Sequence, residues 1–240
     1  MSRTPGWALV AGSTGLVGTV VAEGFARQGV NLVLHSGRRL KAAASQGSEL
    51  EARFGVRYVP LAADVTSETA LATARCQAQA RGVRHLDALV NCATGYDGRP
   101  VDMNALDATA FRRVIDVDLV GSYLLVRAFL PMLRQAGAAR VVLLSSLAGV
   151  RGRPAAPHLC AAKAGIAGLA LGLSRDLAEA GISVNVVAPG PIQNPDAEPL
   201  PLPPGMPASA PEEVAATVLM LADTTRRLAG QVIIVNGGQP

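Results

Sequence analysis

The sequence predicts an α/β fold in a single domain of three layers, one doubly wound parallel sheet with helices on both faces. Three observations predict it. Short β-rich runs alternate with longer Ala/Leu-rich stretches of helical period. The β-rich runs are apolar at nearly every position, as strands buried on both faces must be. A glycine triplet stands at the first strand–helix junction, where such sheets bind phosphate. Right-handed crossovers then wind the alternating elements into a doubly wound sheet.

Taken in order, a strand over 8–11 feeds the glycine loop and a helix over 15–28. The strand 31–35 ends in a basic turn before the helix 40–53, and the strand 57–60 leads through Asp64 and Val65 to the helix 67–80. The strand 88–91 ends at Asn91 and precedes a long helix over 108–134. The strand 141–145 runs into Ser146 and then the helix 157–180; the strand 183–187 runs into Pro189-Gly190. A helix over 211–222 and a strand over 232–235 complete the pattern. Nine prolines fall from Pro189 to Pro211, among them Pro199, Pro201, Pro203 and Pro204. Regular structure is impossible there, and the segment follows a strand carboxyl end, so 189–211 reads as a short lid or wall of the ligand cleft. A plain linker to the last helix is the other reading.

A chain of 240 residues, 50% hydrophobic, buries one full core and is too short for two ordinary domains. Its mean hydropathy of +0.30 is high, yet Gly, Pro, Arg or Asp breaks each apolar run before the ~18–20 residues that cross a bilayer. The polar opening Met1–Gly6 leads straight into a strand, so no signal peptide is expected. A net charge of +4 comes from scattered basic residues, and aromatics make up only 3%, which excludes a base-stacking nucleic-acid surface. Cys76, Cys92 and Cys160 have no metal-site or disulfide spacing and read as reduced thiols in a cytoplasmic protein.

Gly12-Ser13-Thr14-Gly15-Leu16-Val17-Gly18 has GxxGxxG spacing. Glycines there let the backbone turn tightly and approach a pyrophosphate, whose charge the helix N-terminus holds; the competing reading is a tight turn with close helix–strand packing. After the second strand, Leu34-His35-Ser36-Gly37-Arg38-Arg39 lacks the carboxylate that would hold the adenine ribose hydroxyls of NAD. Ser36, Arg38 and Arg39 suit a 2′-phosphate instead, because guanidinium binds phosphate through a charged fork. NADP(H) is therefore expected over NAD(H), with no metal.

These motifs together resemble the short-chain dehydrogenase/reductase family, a Rossmann-type family, over essentially the whole chain. The resemblance implies that Asp64 and Val65 contact adenine and that Leu89-Val90-Asn91-Cys92-Ala93 is the NNAG strand end, with Asn91 and Ala93 at the cofactor. It implies that Ser146 is the catalytic serine and that Lys163 holds the nicotinamide ribose. Pro189-Gly190-Pro191-Ile192 resembles the turn over the nicotinamide, and Gly230-Gln231-Val232 with Gly237-Gly238 resembles the C-terminal strand. Hydride transfer between a nicotinamide and a carbonyl or alcohol is implied, usually in a homotetramer or dimer.

The chain departs from the family at informative places. A tyrosine is expected thirteen residues after Ser146 and four before Lys163, and that position is Leu159. Asp118 stands where the family has asparagine, in a register fixed by Pro131-Met132. Thr94 replaces the last glycine of NNAG, Asn194 replaces a common threonine, and the glycine spacing is that of the extended branch. Losing a positioned acid removes a factor of ~10²–10⁴ in rate, while cofactor positioning and carbonyl polarisation by Ser146 remain. Asp118 is expected to pair with Lys163, or else to fill the asparagine's structural hydrogen bond. His158 and Cys160 lie about 100° around the helix from Leu159 and are expected as a helix-start or surface histidine and a small packing group. Tyr96 and Asp97 are expected at the cleft mouth, as proton sources or pocket lining. Three readings follow. The first is an NADP(H)-dependent reductase of a small-molecule carbonyl or imine with a non-standard proton donor. The second is a non-redox cyclase, isomerase or dehydratase. The third is an inactive subunit in a mixed oligomer with an active homologue.

Overall fold

Strands form where apolar residues repeat at every position, and each strand divides its side chains between two faces. In β1 (Trp7–Ala11), Leu9 joins one buried cluster while Ala8 and Val10 join the other. A computed structural model of the chain describes residues 6–198, 202, 207–225 and 227–238. Its remaining strands are β2 (Asn31–Ser36), β3 (Tyr58–Ala62), β4 (Ala88–Asn91), β5 (Arg140–Leu144), β6 (Ser183–Pro189) and β7 (Val232–Val235). They form one seven-stranded sheet in the order β3-β2-β1-β4-β5-β6-β7, with every pair parallel. The α/β fold predicted from the sequence is the fold observed.

The helices are α1 (Leu16–Arg27), α2 (Leu40–Phe54), α3 (Glu68–Ala80), α4 (Ala108–Val114), α5 (Gly121–Gln135), α6 (Leu147–Arg151), α7 (Pro157–Asp176) and α8 (Pro211–Ala222). Leu71, Phe129 and Ile166 bring α3, α5 and α7 onto one face of the sheet. Phe25, Ala43 and Val218 bring α1, α2 and α8 onto the other. Connections run outward from β1 in one direction to β2 and β3, then in the other to β4. The carboxyl ends of β1 and β4 are therefore the point where the winding reverses, which is where open α/β sheets bind ligands.

Three expectations need correction. The helix over 108–134 runs unbroken but is not α-helical throughout: between α4 and α5 lies a π-helical turn, Ile115–Val120, within which Asp118 is fully buried. The helix over 157–180 stops at Asp176, and a separate 3₁₀ turn, Ala178–Ala180, ends at the left-handed Gly181. α6 was not expected, because five residues carry no readable period. Within the proline-rich segment, Ile192 and Ser209 form a parallel bridge, closed by Gln193 N–H to Ser209 O at 3.0 Å and Ser209 N–H to Pro191 O at 2.8 Å. Pro199, Pro201, Pro203 and Pro204, on which the lid reading leans, lie outside the described residues.

Candidate active site

The glycine loop leaves β1 at the winding reversal. Gly12 has φ +70°, and a Cβ there would sit 2.9 Å from the backbone N of Ala93, so the two strand ends meet with no side chain between them. Gly18, one turn into α1, presses on the Gly12 carbonyl so closely that a Cβ would overlap it. Gly15 caps α1 with no side chain, leaving the first-turn N–H groups of Leu16 and its neighbours open. Around this loop the hydroxyls of Ser13, Thr14 and Ser36 are buried without a hydrogen-bond partner. Sequence reasoning missed two supports. Gln46 Nε2 donates to Ser13 O at 2.9 Å, and Arg39 Nη2 donates to Thr14 O at 3.3 Å. Helical spacing in α2 does not mark Gln46, and Arg39, which precedes α2, was read only as part of the basic turn.

At the carboxyl ends of β2 and β3 stand His35, Ser36, Arg38, Asp64 and Val65. His35 is fully buried, its Nε2 3.0 Å from Ala63 O, and burial pushes its pKa down to about 4, so the ring is neutral at pH 7. Asp64 accepts from the Thr66 N–H at 2.9 Å and hydroxyl at 2.8 Å; these bonds hold its carboxyl below the usual range, and the Arg38 charge adds to them. Arg38 itself is exposed, and Val65 is buried against Gly121.

At the end of β4 a second set of groups converges. Asn91 Oδ1 accepts from Ala93 N–H at 3.1 Å, and its Nδ2 donates to Ser122 Oγ at 2.9 Å. Ser122 in turn donates to the backbone carbonyl of Asp118 at 2.5 Å. The Asp118 carboxylate, at 0% exposure, is fully partnered: Gly95 N–H at 2.6 Å, Thr94 Oγ1 at 2.8 Å and Lys163 Nζ at 2.9 Å. Lys163 also donates to Leu144 O at 3.0 Å. The expected Asp118–Lys163 ion pair is thus present, and Thr94, noted in the sequence only as a departure, holds it. The neighbouring Cys92 thiol is pushed up to about 12 by burial, with Lys163 pulling weakly the other way, so it stays protonated.

Ser146 caps α6, accepting from Ala148 N–H at 3.2 Å and donating to Pro189 O at 3.4 Å. Ser145 donates to the Lys163 carbonyl at 2.6 Å and locks α7 to the end of β5. Gly190 N–H donates to Val235 O at 2.7 Å, which sets the turn through Ile192 beside the same strand ends.

Leu159 lies four residues before Lys163, on the same face of α7. It is buried with Ala148 and Ala156, and Tyr96 and Cys160 pack against the group. His158 corrects the surface expectation. It begins α7 as expected but is only 4% exposed, edge-on to Tyr96 with ring centroids 5.5 Å apart, and its Nδ1 has no partner. The loop before α7 sets this, since Ala155 takes φ +54° and its carbonyl accepts from Val101 N–H at 2.7 Å. Tyr96 donates its hydroxyl to Arg99 O at 2.9 Å, and burial raises its pKa. Cys160 Sγ accepts from Arg153 N–H at 3.1 Å, and Asp97 is exposed with Oδ1 on the Arg99 N–H. A separate concave surface, lined by Trp7, Phe25, His85 and Leu219, opens at the amino ends of the strands, away from all of these groups. Among the described residues no group of three or more His, Cys, Asp or Glu is placed to hold a metal, and no helix is long and apolar enough to cross a membrane.

A family model described as short chain dehydrogenase matches residues 6–200, and the chain belongs to that family. An uncharacterized oxidoreductase of Bacillus subtilis, YmfI, is 29% identical over 96% of this chain and 97% of its own. A 3-oxoacyl-acyl-carrier-protein reductase, FabG, of Rickettsia felis is 30% identical over 96% and 95%. A cis-4-hydroxycyclohexanecarboxylate dehydrogenase of Sinomonas cyclohexanicum is 31% identical over the same shares, 96% and 95%. A crystal structure from Burkholderia xenovorans, assigned to the short-chain dehydrogenases/reductases, superposes with a TM-score of 0.87 at 28% identity, covering 99% of both chains.

Proposed function

We propose that the chain is an NADP(H)-dependent reductase acting on the carbonyl or imine of a small molecule. The single observation that carries the reading is the cradle at the end of β1. Backbone approaches backbone at Gly12 and Gly18 with no room for a side chain, while three buried hydroxyls, on Ser13, Thr14 and Ser36, lack protein partners. Buried polar groups are almost always satisfied, so this set fits a ligand rich in hydrogen-bonding oxygens. A dinucleotide is such a ligand, and the residues fit it. Gly12, Gly15, Leu16 and Gly18 would face its pyrophosphate, Arg38 and Ser36 its 2′-phosphate, and Asp64 and Val65 its adenine. Asn91, Ala93, Lys163, Pro189, Gly190 and Ile192 would line its nicotinamide half.

When bound, NADPH supplies a hydride. Ser146, whose hydroxyl oxygen accepts from Ala148 N–H and whose proton makes only a long bond to Pro189 O, would orient the substrate heteroatom. Lys163 is held by Asp118 and Leu144, and its remaining proton would be free for the cofactor ribose. Leu159 occupies the place the family gives its tyrosine, and its side chain, packed with Ala148 and Ala156, has no proton to donate.

Calorimetric titration tests this. NADPH is expected to bind roughly tenfold or more tighter than NADH, and Arg38→Ala is expected to erase that preference. Equal affinities would overturn the phosphate assignment, and no binding of either would overturn the reductase.

A further inference from the structure

We propose that the group reduced at this site is an iminium ion, a C=N unit that arrives already protonated or alkylated, and not a neutral ketone or aldehyde. The inference rests on the reductase reading above and narrows its substrate. The buried Asp118–Lys163 pair, with Lys163 one helical turn along α7 from the apolar group around Leu159, carries it.

Reducing a neutral carbonyl creates an alkoxide, which needs a proton as it forms. The groups around Leu159 supply none readily. Leu159, Ala148 and Ala156 are apolar. Tyr96 gives its hydroxyl to Arg99 O. The Cys92 thiol has its pKa pushed up to about 12 and is buried. Lys163 has two of its protons on Asp118 and Leu144. Its third is the one assigned to the ribose. Ser146 polarises but is a poor acid. His158 faces Tyr96 from a position one residue off the Leu159 direction, and Arg153 and Asp97 lie outside, around the Tyr96 ring.

The charge balance points the same way. A lone lysine beside the reacting group repels a cationic substrate. Here Asp118, completely buried and 2.9 Å from Lys163, cancels that charge, and Thr94 and Gly95 hold the carboxylate in place with two further hydrogen bonds. The neutralised site therefore tolerates a cation, and His158, the neighbouring group with an unpartnered ring nitrogen, is turned edge-on to Tyr96 one helix position away from Leu159, so an iminium that needs no proton fits it better than a ketone. The step balances without a proton. The hydride and its electron pair form the new C–H bond, the C=N π pair passes to nitrogen to leave a neutral amine, and NADPH becomes NADP⁺.

Matched probes on one skeleton test it: 1-methyl-3,4-dihydroisoquinoline, its N-methyl iminium salt and 1-tetralone, each with NADPH. The iminium salt is expected to be reduced with kcat/KM about 10²-fold or more above the ketone, the factor a missing acid withholds from the ketone alone. Its rate should not vary as pH rises, whereas the free imine's rate should fall through the imine's own pKa. A binding measurement accompanies the kinetics. Asp118→Asn is expected to weaken calorimetric binding of protonated N-methyltetrahydroisoquinoline to the NADPH complex by about tenfold and to leave 1-tetralol unchanged. Ketone turnover equal to the iminium's overturns the proposal, as does ketone turnover that His158→Gln abolishes. NADPH binding with no turnover of any probe, or an Asp118→Asn protein that binds amine and alcohol as before, also overturns it while leaving the cofactor reading in place. Failure to bind NADPH overturns the reductase itself.

Discussion

At the scale of single residues, the core of the candidate site is one buried charge pair with an unusual holder. Removing one member of a buried pair strands the other, typically at a cost of ~3–5 kcal/mol, whereas a neutral hydrogen-bonding replacement costs far less. Lys163→Met is therefore expected to lower stability by about 3 kcal/mol, because Asp118 has no route to water. Asp118→Asn should cost less, since an amide oxygen still accepts from Lys163. The double variant should recover part of the Lys163→Met loss, and denaturant melts of all four proteins measure the cycle. A double variant as unstable as the sum of the singles would show that the two charges do not act as a pair. The pairing was legible through the family resemblance, which puts the counterparts of Asp118 and Lys163 side by side; the spacing from Ser146 and the register of Pro131-Met132 only fix which residues they are. The hydroxyl of Thr94 on Asp118 was not, since it depends on how the chain turns after β4, and no spacing encodes that turn. The burial of His158 was missed for a related reason: periodicity says which residues share a helix face but not where the preceding loop starts the helix.

At the scale of elements, α1 and the π-helical turn decide where the reactive groups stand. The strands and most helices were readable from period and apolar runs, and β4, β7 and α8 have the boundaries expected from sequence. Ile115–Val120 escaped, because a π turn has the composition of an α-helix and differs only by an inserted residue that rotates everything after it. Within that turn Asp118 is buried while Asp116 is exposed. The first turn of α1 shows the opposite case, a geometry that the residue type announces. Gly18 touches the Gly12 carbonyl, so Gly18→Ala must push the loop away from the helix. Overpacking of this kind costs ~1–3 kcal/mol, and here it also displaces the N–H groups that open toward the cradle. The expected result is a protein that still folds, melts lower and binds NADPH at least tenfold more weakly. Unchanged affinity would mean that the loop does not hold the cofactor.

At the scale of the whole molecule, the fold buries one titratable group whose protonation the entire sheet opposes. The apolar alternation that made the three-layer architecture legible also encloses His35, which follows Leu34 in a strand flanked on both sides and so has no exposed edge. The sequence placed His35 at the end of the second strand but not its burial, because a polar residue within an apolar strand gives no sign of which way water lies. Its pKa falls from 6.5 to about 4 on folding, with desolvation as the main cause and the Ala63 carbonyl opposing it. The unfolded chain therefore takes up a proton near pH 6.5 that the folded protein refuses until about pH 4. Stability is fully present above the unfolded value and is lost as pH falls through that window. The two values imply a loss on the order of 3 kcal/mol between them. Carboxylates such as Asp64, with pKa values also lowered by folding, add to the acid limb at lower pH. The contribution of His35 is isolated by a variant that cannot titrate. His35→Gln keeps a donor toward Ala63 and should flatten the melting temperature between pH 6.5 and pH 4.5 relative to the parent, while the two proteins converge in slope above pH 7. Parallel curves through that window would show that the imidazole is protonated in the fold, and the sheet would then be more open at the end of β2 than its packing indicates.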